Sequence, residues 1–176
     1  MPTPDRTSLA QIVAAGTEIL EAEGPSGLTM RAVADRVGVR APSLYKRVRD
    51  RDALLSLVAT AAVDELGDRL AATDGTLAGI ARAYRAFARE RPEGFRLLLS
   101  TSPDADSLAR ASAFVLRAAD DLVGSAEALE AARLVTAWAT GFSTMELAGA
   151  FRLQGDLEKA FEFGLARLTR ALSTPD

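Results

Sequence analysis

The 176-residue sequence predicts an all-α fold, and three observations lead to that prediction. Alanine, leucine and arginine dominate the chain, and short breaks rich in glycine, proline and aspartate divide it. No alternation of β-branched residues lasts as long as a strand. Since 48% of the residues are apolar, the chain can also bury a sizeable core.

Capping and stop residues divide the first part of the chain. Thr29 and Asp50 each stand where a helix cap is expected, Pro42 suits the first turn of a helix, and Gly38 is a helix stop. The segment EGPSG ends the helix before them. Helices are therefore predicted over residues 8–23, 30–37, 42–48 and 51–70.

The second part of the chain contains five more helical segments. Helical periodicity resumes at Leu77 after the break ATDGT, and Pro92 opens a shorter helix. The segment STSPDADS is the clearest loop, and RLQGD separates the last two helices. The predicted helices cover residues 77–90, 92–99, 108–123, 126–151 and 157–172.

Composition excludes several classes of function. Without cysteine or histidine the chain has no disulfide framework, no thiol catalysis and no usual zinc site. An enzyme would rest on carboxylates such as Asp120, Asp121 and Glu146, which show no acid/base or metal spacing. The N-terminal segment has no signal-peptide core, and no apolar run approaches the roughly 20 residues of a membrane span. We therefore expect a cytoplasmic protein that is not an enzyme, with no cofactor, metal or membrane partner.

Positive charge is concentrated in one segment. Residues 31–51 contain seven arginines and lysines against two aspartates, a net charge of +5. Because the whole chain has a net charge of -3, the remaining residues carry -8. One basic segment on an acidic protein is typical of a surface that binds a polyanion such as DNA.

Two short helices joined by a tight turn at Gly38 form the pattern of a helix-turn-helix, whose second helix can enter a DNA major groove. The inward residues of the pattern are apolar: Val33, Ala34, Val37, Leu44 and Val48. The outward residues are small or basic: Arg40, Ala41, Pro42, Ser43, Lys46 and Arg47. Tyr45, Lys46 and Arg47 can reach phosphates or purine acceptors. Charge alone also fits an ordinary solvated helix face beside a helix corner.

The segment LTMRAVADRVGVRAPSLYKRVRDRDALL resembles the N-terminal domain of the TetR family of one-component transcriptional regulators. The shared features are a threonine-capped helix, Ala-x-x-x-Gly-Val at the turn and a Leu-Tyr pair in the recognition helix. Val48 departs from the family, which usually has an aromatic residue there. The resemblance implies DNA contacts from Thr29, Arg31, Arg40, Ala41, Pro42, Ser43, Tyr45, Lys46 and Arg51.

The segment WATGFSTMELAGAFRLQGDLEKAFEFGLARL resembles the C-terminal domain of a TetR subgroup with a His-Gly-Phe pattern. Thr140 replaces the histidine, so a contact of that histidine with an effector is lost here or the effector differs. The candidate residues for an effector cavity are Tyr84, Phe87, Phe95, Phe114, Trp138, Thr140, Phe142 and Met145. Aromatic residues at helical spacing also fit a plain core. Glu146 is either an exposed or paired carboxylate or a polar anchor for an effector.

Apolar stripes on the last two predicted helices suggest how the chain assembles. Phe161, Leu165 and Leu168 form the stripe of the final helix, and Phe142, Met145 and Phe151 precede it. Two such stripes, repeated in a symmetry mate, predict a homodimer with a four-helix interface.

The sequence thus predicts a three-helix helix-turn-helix domain, residues 1–50, that binds DNA, followed by a helical bundle, residues 51–176, for effector binding and dimerisation. The predicted function is ligand-responsive transcriptional regulation: a repressor binds a palindromic double-stranded operator and responds to a small apolar or aromatic effector. The alternative is a dimeric DNA-binding protein without an effector.

Overall fold

The structure, a computed structural model, describes residues 7–173 and confirms the all-α prediction, with no strand in that range. Its helices are α1 (Leu9–Gly27), α2 (Met30–Arg36), α3 (Ala41–Leu44), α4 (Arg51–Ala71), α5 (Leu77–Glu90), α6 (Pro92–Ser100), α7 (Ala105–Val123), α8 (Ala128–Leu147) and α9 (Leu157–Leu172). Residues 1–6, which are part of the predicted N-terminal domain, lie outside the described range. Residues 174–176 also lie outside it.

The predicted helix caps are present. The Thr29 hydroxyl accepts a hydrogen bond from the Ala32 amide at 3.1 Å, and the Asp50 carboxylate accepts one from the Ala53 amide at 2.8 Å. Both bonds satisfy amides that have no partner within their own helix. α1 continues in sequence to Gly27, but Gly24 has non-helical backbone angles, so regular helix ends near the predicted stop.

Besides α1, three helices differ from a predicted bound by three residues or more. α3 ends at Leu44 rather than residue 48, because residues 45–47 form a turn. α8 ends at Leu147 rather than residue 151, two residues before Gly149 adopts a positive φ of 61°. α7 begins at Ala105 rather than residue 108, because the Asp104 carboxylate caps it by accepting from the Ser107 amide at 3.0 Å.

The chain folds into two compact units. The first contains the described residues up to Asp64 and the segment Arg91–Leu108, and the second contains Glu65–Glu90 and the described residues from Ala109 onward. The predicted domain boundary at residue 50 therefore lies inside the first unit. α6, which follows α5 in sequence, belongs to the first unit.

An apolar core of residues from several helices stabilises the first unit. Four of the five predicted inward residues, Val33, Ala34, Leu44 and Val48, are buried in it, and Val37 packs against it partly buried. Leu97 of α6 belongs to the same core. The rest of this core consists of Ile12, Ala15, Ile19, Leu20, Leu28, Met30, Leu54, Val58 and Ala59.

An acidic residue of α1 fixes α6. The Glu21 carboxylate accepts hydrogen bonds from the amides of Glu93 at 3.2 Å and Gly94 at 2.9 Å. These amides lie in the first turn of α6, where backbone donors have no partner within the helix. The Glu21 carboxylate of α1 thus caps α6. Its negative charge next to the positive N-terminal end of the α6 dipole stabilises the contact further.

In the second unit, α5 packs against both α8 and α9. Four aromatic residues, which we call the aromatic cluster, lie between α8, the following loop and α9: Trp138, Phe142, Phe151 and Phe161. The Trp138 and Phe161 rings stack at 4.8 Å, and a side chain at Gly164 would come within 2.7 Å of the indole. Gly164 therefore permits α9 to lie directly on Trp138.

Among residues 7–173, no helix combines the length and the apolar character that crossing a membrane requires.

Candidate functional site

The turn between α2 and α3 depends on Gly38. Its φ of +72° is left-handed, a conformation that other residues adopt only with strain. The turn lets the Val39 amide donate to the Ala34 carbonyl at 2.9 Å. Leu44 and Val48, both buried, then anchor the following segment to the core and leave its other side in solvent.

The outward side of this segment is what we call the recognition surface. It consists of Arg40, Ala41, Pro42, Ser43, Tyr45, Lys46 and Arg47, of which all but the half-buried Ala41 are exposed. The Tyr45 side chain stands 53% exposed beside the buried Leu44. Within residues 7–173, Arg40 and Lys46 make no ion pair. The surface thus combines cations, hydroxyl groups and small residues, which are the groups that contact phosphates and base edges.

The other predicted DNA contacts have partners within the protein. Arg31 lies 3.8 Å from Asp35, and the Thr29 hydroxyl caps α2. Arg51 donates from Nε to the Leu28 carbonyl at 2.9 Å and from Nη2 to the Pro25 carbonyl. Arg51 therefore ties the start of α4 to the end of α1, a contact that the sequence did not indicate.

The candidate effector residues are distributed over both units. Phe95 is buried in the first unit. In the second unit, Phe87 is buried under the Arg69 guanidinium at 5.4 Å, Phe114 is half-buried on α7, and Met145 is exposed on α8. Trp138 and Phe142 belong to the aromatic cluster. The structure thus brings together only part of the predicted set.

Tyr84 and Thr140 form a direct contact. Their hydroxyl oxygens lie 2.9 Å apart, which joins α5 to α8. Burial raises the pKa of the Tyr84 hydroxyl, since the ionised form would lose its hydration. Thr140, which stands where the TetR subgroup has a histidine, is therefore a hydrogen-bonding partner of Tyr84 on α5.

Arg85 is a buried charge that the sequence analysis missed. Its Nε and Nη2 donate to the two Glu146 carboxylate oxygens at 2.8 and 2.9 Å, and Nη1 donates to Glu158 at 2.9 Å. The guanidinium also lies over the rings of Phe142 at 5.3 Å and Phe161 at 4.6 Å. Of the two alternatives for Glu146, the structure therefore shows the paired carboxylate. The hydrogen bonds from Arg85 hold the pKa of Glu146 below its ordinary value.

Two protein-family models match the chain. One, described as "Bacterial regulatory proteins, tetR family", matches residues 12–58, which include α2, α3 and the recognition surface. The other, described as "Tetracyclin repressor-like, C-terminal domain", matches residues 77–168. The chain belongs to the TetR family. This is a family of transcriptional regulators, which favours a regulator over the helical enzyme that composition had already disfavoured.

The chain is also similar to individual transcriptional regulators. An HTH-type transcriptional regulator of Mycobacterium bovis is 36% identical over 98 residues, 51% of this chain and 42% of that protein. The match therefore spans less than half the length of that relative. The class A tetracycline repressor from transposon 1721 of Escherichia coli is 29% identical over 143 residues, 78% of this chain and 66% of the repressor.

A crystal structure of a TetR variant from Acinetobacter baumannii in complex with minocycline has a similar fold. Its TM-score is 0.72 and its sequence identity 25%, over 94% of this chain and 96% of that chain. The similarity extends over both units.

Proposed function

We propose that this TetR-family chain is a DNA-binding repressor that acts as a homodimer on a palindromic operator. The observation that carries the proposal is the recognition surface. Its cations and hydroxyl groups project from a segment that the buried Leu44 and Val48 hold in place. The basic segment has a net charge of +5 on an acidic chain, which favours approach to DNA by this face.

We propose dimerisation through α8 and α9, over an exposed stripe that shares only Met145 with the predicted one. Phe161 and Leu165 are buried inside the single chain, so the prediction that they form the interface was wrong. Periodicity identified an apolar stripe correctly but could not tell whether it faces the same chain or a partner. Exposed apolar residues lie on the other sides of these helices: Leu134 and Met145 on α8 and Phe163, 64% exposed, on α9.

The exposed side of α8 also permits close approach by another helix. Gly141 lies on it, and nothing is within 4 Å of the position where a Cβ atom would be. An exposed apolar side with a small residue at its centre suits the packing of two helices. This exposed side of α8 supports a two-fold symmetric interface, in which each protomer contributes the same surface patch.

We further propose that a small molecule bound in the second unit lowers DNA affinity. Two recognition surfaces must lie about 34 to 36 Å apart to enter successive major grooves. A ligand that prefers another spacing weakens DNA binding by the ratio of its affinities for the two states. The alternative without an effector is favoured by one observation, the close packing of Trp138 on Gly164.

Selection of duplexes from a random pool tests the proposal. The wild-type protein is expected to enrich one sequence family, while Arg40→Ala combined with Lys46→Ala enriches none. Arg117→Ala combined with Arg152→Ala, which removes two exposed cations outside the recognition surface and outside α8 and α9, is the control for total charge. Failure of the wild-type protein to enrich any sequence would contradict the proposed function.

A further inference from the structure

A strip of polar side chains lies between α5 and α8. Tyr84 and Arg85 contribute from α5, and Thr140, Ser143 and Glu146 follow one another on α8 at three-residue spacing, which places them on adjacent positions of one face. The surrounding buried residues are apolar: Ala81, Ala88, Val135 and Ala139. Arg85 and Ser143 are buried in this strip and Tyr84 and Thr140 are half-buried, an arrangement that needs a reason because burial of polar groups is costly.

Arg85 presents its guanidinium in the geometry that recognises a carboxylate. Its side chain is only 5% exposed, and the rings of Phe142 and Phe161 fix the orientation of the planar group. Two parallel hydrogen bonds to one carboxylate, here that of Glu146, are the arrangement in which arginine is most selective. The strip therefore contains an arginine site for a carboxylate, occupied by one from the same chain.

Glu146 can leave that site more easily than Arg85 can. Its side chain is 14% exposed, and it lies one residue before the end of α8. An arginine left unpaired in the interior is strongly unfavourable, whereas exchange of one carboxylate for another keeps the charge paired. A neutral molecule in the place of Glu146 would leave Nε and Nη2 of Arg85 without their carboxylate, and only Nη1 would keep its pair with Glu158.

A second observation indicates a missing acceptor. The Ser143 side chain is 1% exposed, and its hydroxyl has no hydrogen-bond partner among residues 7–173. Such a group calls for an explanation, since nearly all buried hydroxyl groups are satisfied. Ser143 lies on α8 between Thr140, which contacts Tyr84, and Glu146, which contacts Arg85. An oxygen of a molecule bound to Arg85 could accept from it.

We infer that the second unit binds an organic acid whose carboxylate takes the place of Glu146 on Arg85 and accepts from Ser143, with its apolar part against the aromatic cluster. This inference rests on the proposed effector function and narrows the effector from any apolar or aromatic molecule to one with a carboxylate. Displacement of Glu146 would free the C-terminal turn of α8, one of the two helices proposed to form the dimer.

Calorimetric titration with benzoate, and with benzamide as its neutral counterpart, tests the inference. Benzoate should bind both proteins, and Glu146→Gln about tenfold more tightly than the wild type, because this variant no longer has a competing carboxylate on Arg85. Benzamide should bind neither protein measurably. Ser143→Ala in the Glu146→Gln background should weaken benzoate binding severalfold.

Glu162→Gln is the matched control. It removes a carboxylate of α9 that pairs with Arg82 of α5 through two bonds of 2.7 Å, at a position where the side chain is 38% exposed. Benzoate affinity in this variant should equal that of the wild type.

Three results would overturn the inference: no benzoate binding by Glu146→Gln, equal binding of benzoate and benzamide, or binding by Glu146→Gln with none by the wild type. The last would make Arg85–Glu146 a fixed internal pair. If Glu146→Gln does not fold, the wild-type comparison of benzoate with benzamide decides alone. The titrations contain no DNA, so their outcome is independent of the DNA selection that tests the proposed function.

Discussion

At the scale of single residues, the charge of the recognition surface is available to a ligand, since Arg40 and Lys46 have no ion pair within residues 7–173. Lys46→Ala should weaken binding to all DNA sequences and reduce the slope of log affinity against log salt by about one, as expected for one lost phosphate contact. Lys159→Ala, which changes the only other lysine of the sequence, is the control. Equal salt slopes for Lys46→Ala and the wild type would exclude the phosphate contact.

Tyr45 supplies one hydroxyl group to the same surface. Tyr45→Phe keeps the ring and should cost about 1 kcal/mol or somewhat more of operator affinity, as for a hydrogen bond to a charged acceptor. Equilibrium titration by fluorescence anisotropy measures the change. If the affinity does not change, Tyr45 contributes only packing.

Glu146 makes the stability of the second unit depend on pH. Hydrogen bonds from Arg85 lower its pKa in the folded state, and Arg89, 4.0 Å away, acts in the same direction. A lowered pKa stabilises the fold above the ordinary glutamate pKa of about 4.3, and this stabilisation is lost as the pH falls through the lower folded value. Glu146→Gln should therefore flatten the acid limb of stability measured by urea unfolding. A limb of unchanged steepness would show that Arg85 does not favour the ionised form.

At the scale of elements, the α2–α3 turn requires a left-handed residue. Gly38→Ala introduces no clash, since nothing lies within 4 Å of the new Cβ, so its effect should be conformational strain of about 1 kcal/mol. Gly67→Ala within α4 is the matched control, with ordinary contact to Ala111 at 3.7 Å, and should be neutral or stabilising. Equal free energies of unfolding for the two variants would contradict the role of Gly38.

The helix caps and the contacts between helices differ in whether the sequence could predict them. Thr29 and Asp50 were identified as caps because each acts on an amide three residues away, and local patterns reveal such bonds. Arg85 pairs with residues 61 and 73 positions away, and Glu21 caps α6 across 72 and 73 positions. No local pattern reveals these pairs, because only packing of the helices brings their members together. The buried side of α9 was misjudged for the same reason.

At the scale of the whole molecule, the proposed dimer depends on the exposed side of α8 and α9. Phe163→Glu should convert a dimer into a monomer at micromolar concentration without loss of helix content, because the side chain lies outside the core. Leu99→Glu, also at an exposed leucine but on α6, is the control and should remain dimeric. Sedimentation velocity distinguishes the species, and a wild-type monomer would contradict the proposed assembly.

The central claim is that two copies of the recognition surface read one DNA duplex together. Hydroxyl-radical footprinting of the wild-type protein on an enriched duplex measures this most directly. The expected footprint has two protected regions related by a dyad, with centres about 10 to 10.5 base pairs apart. A single protected region without dyad symmetry would contradict the claim.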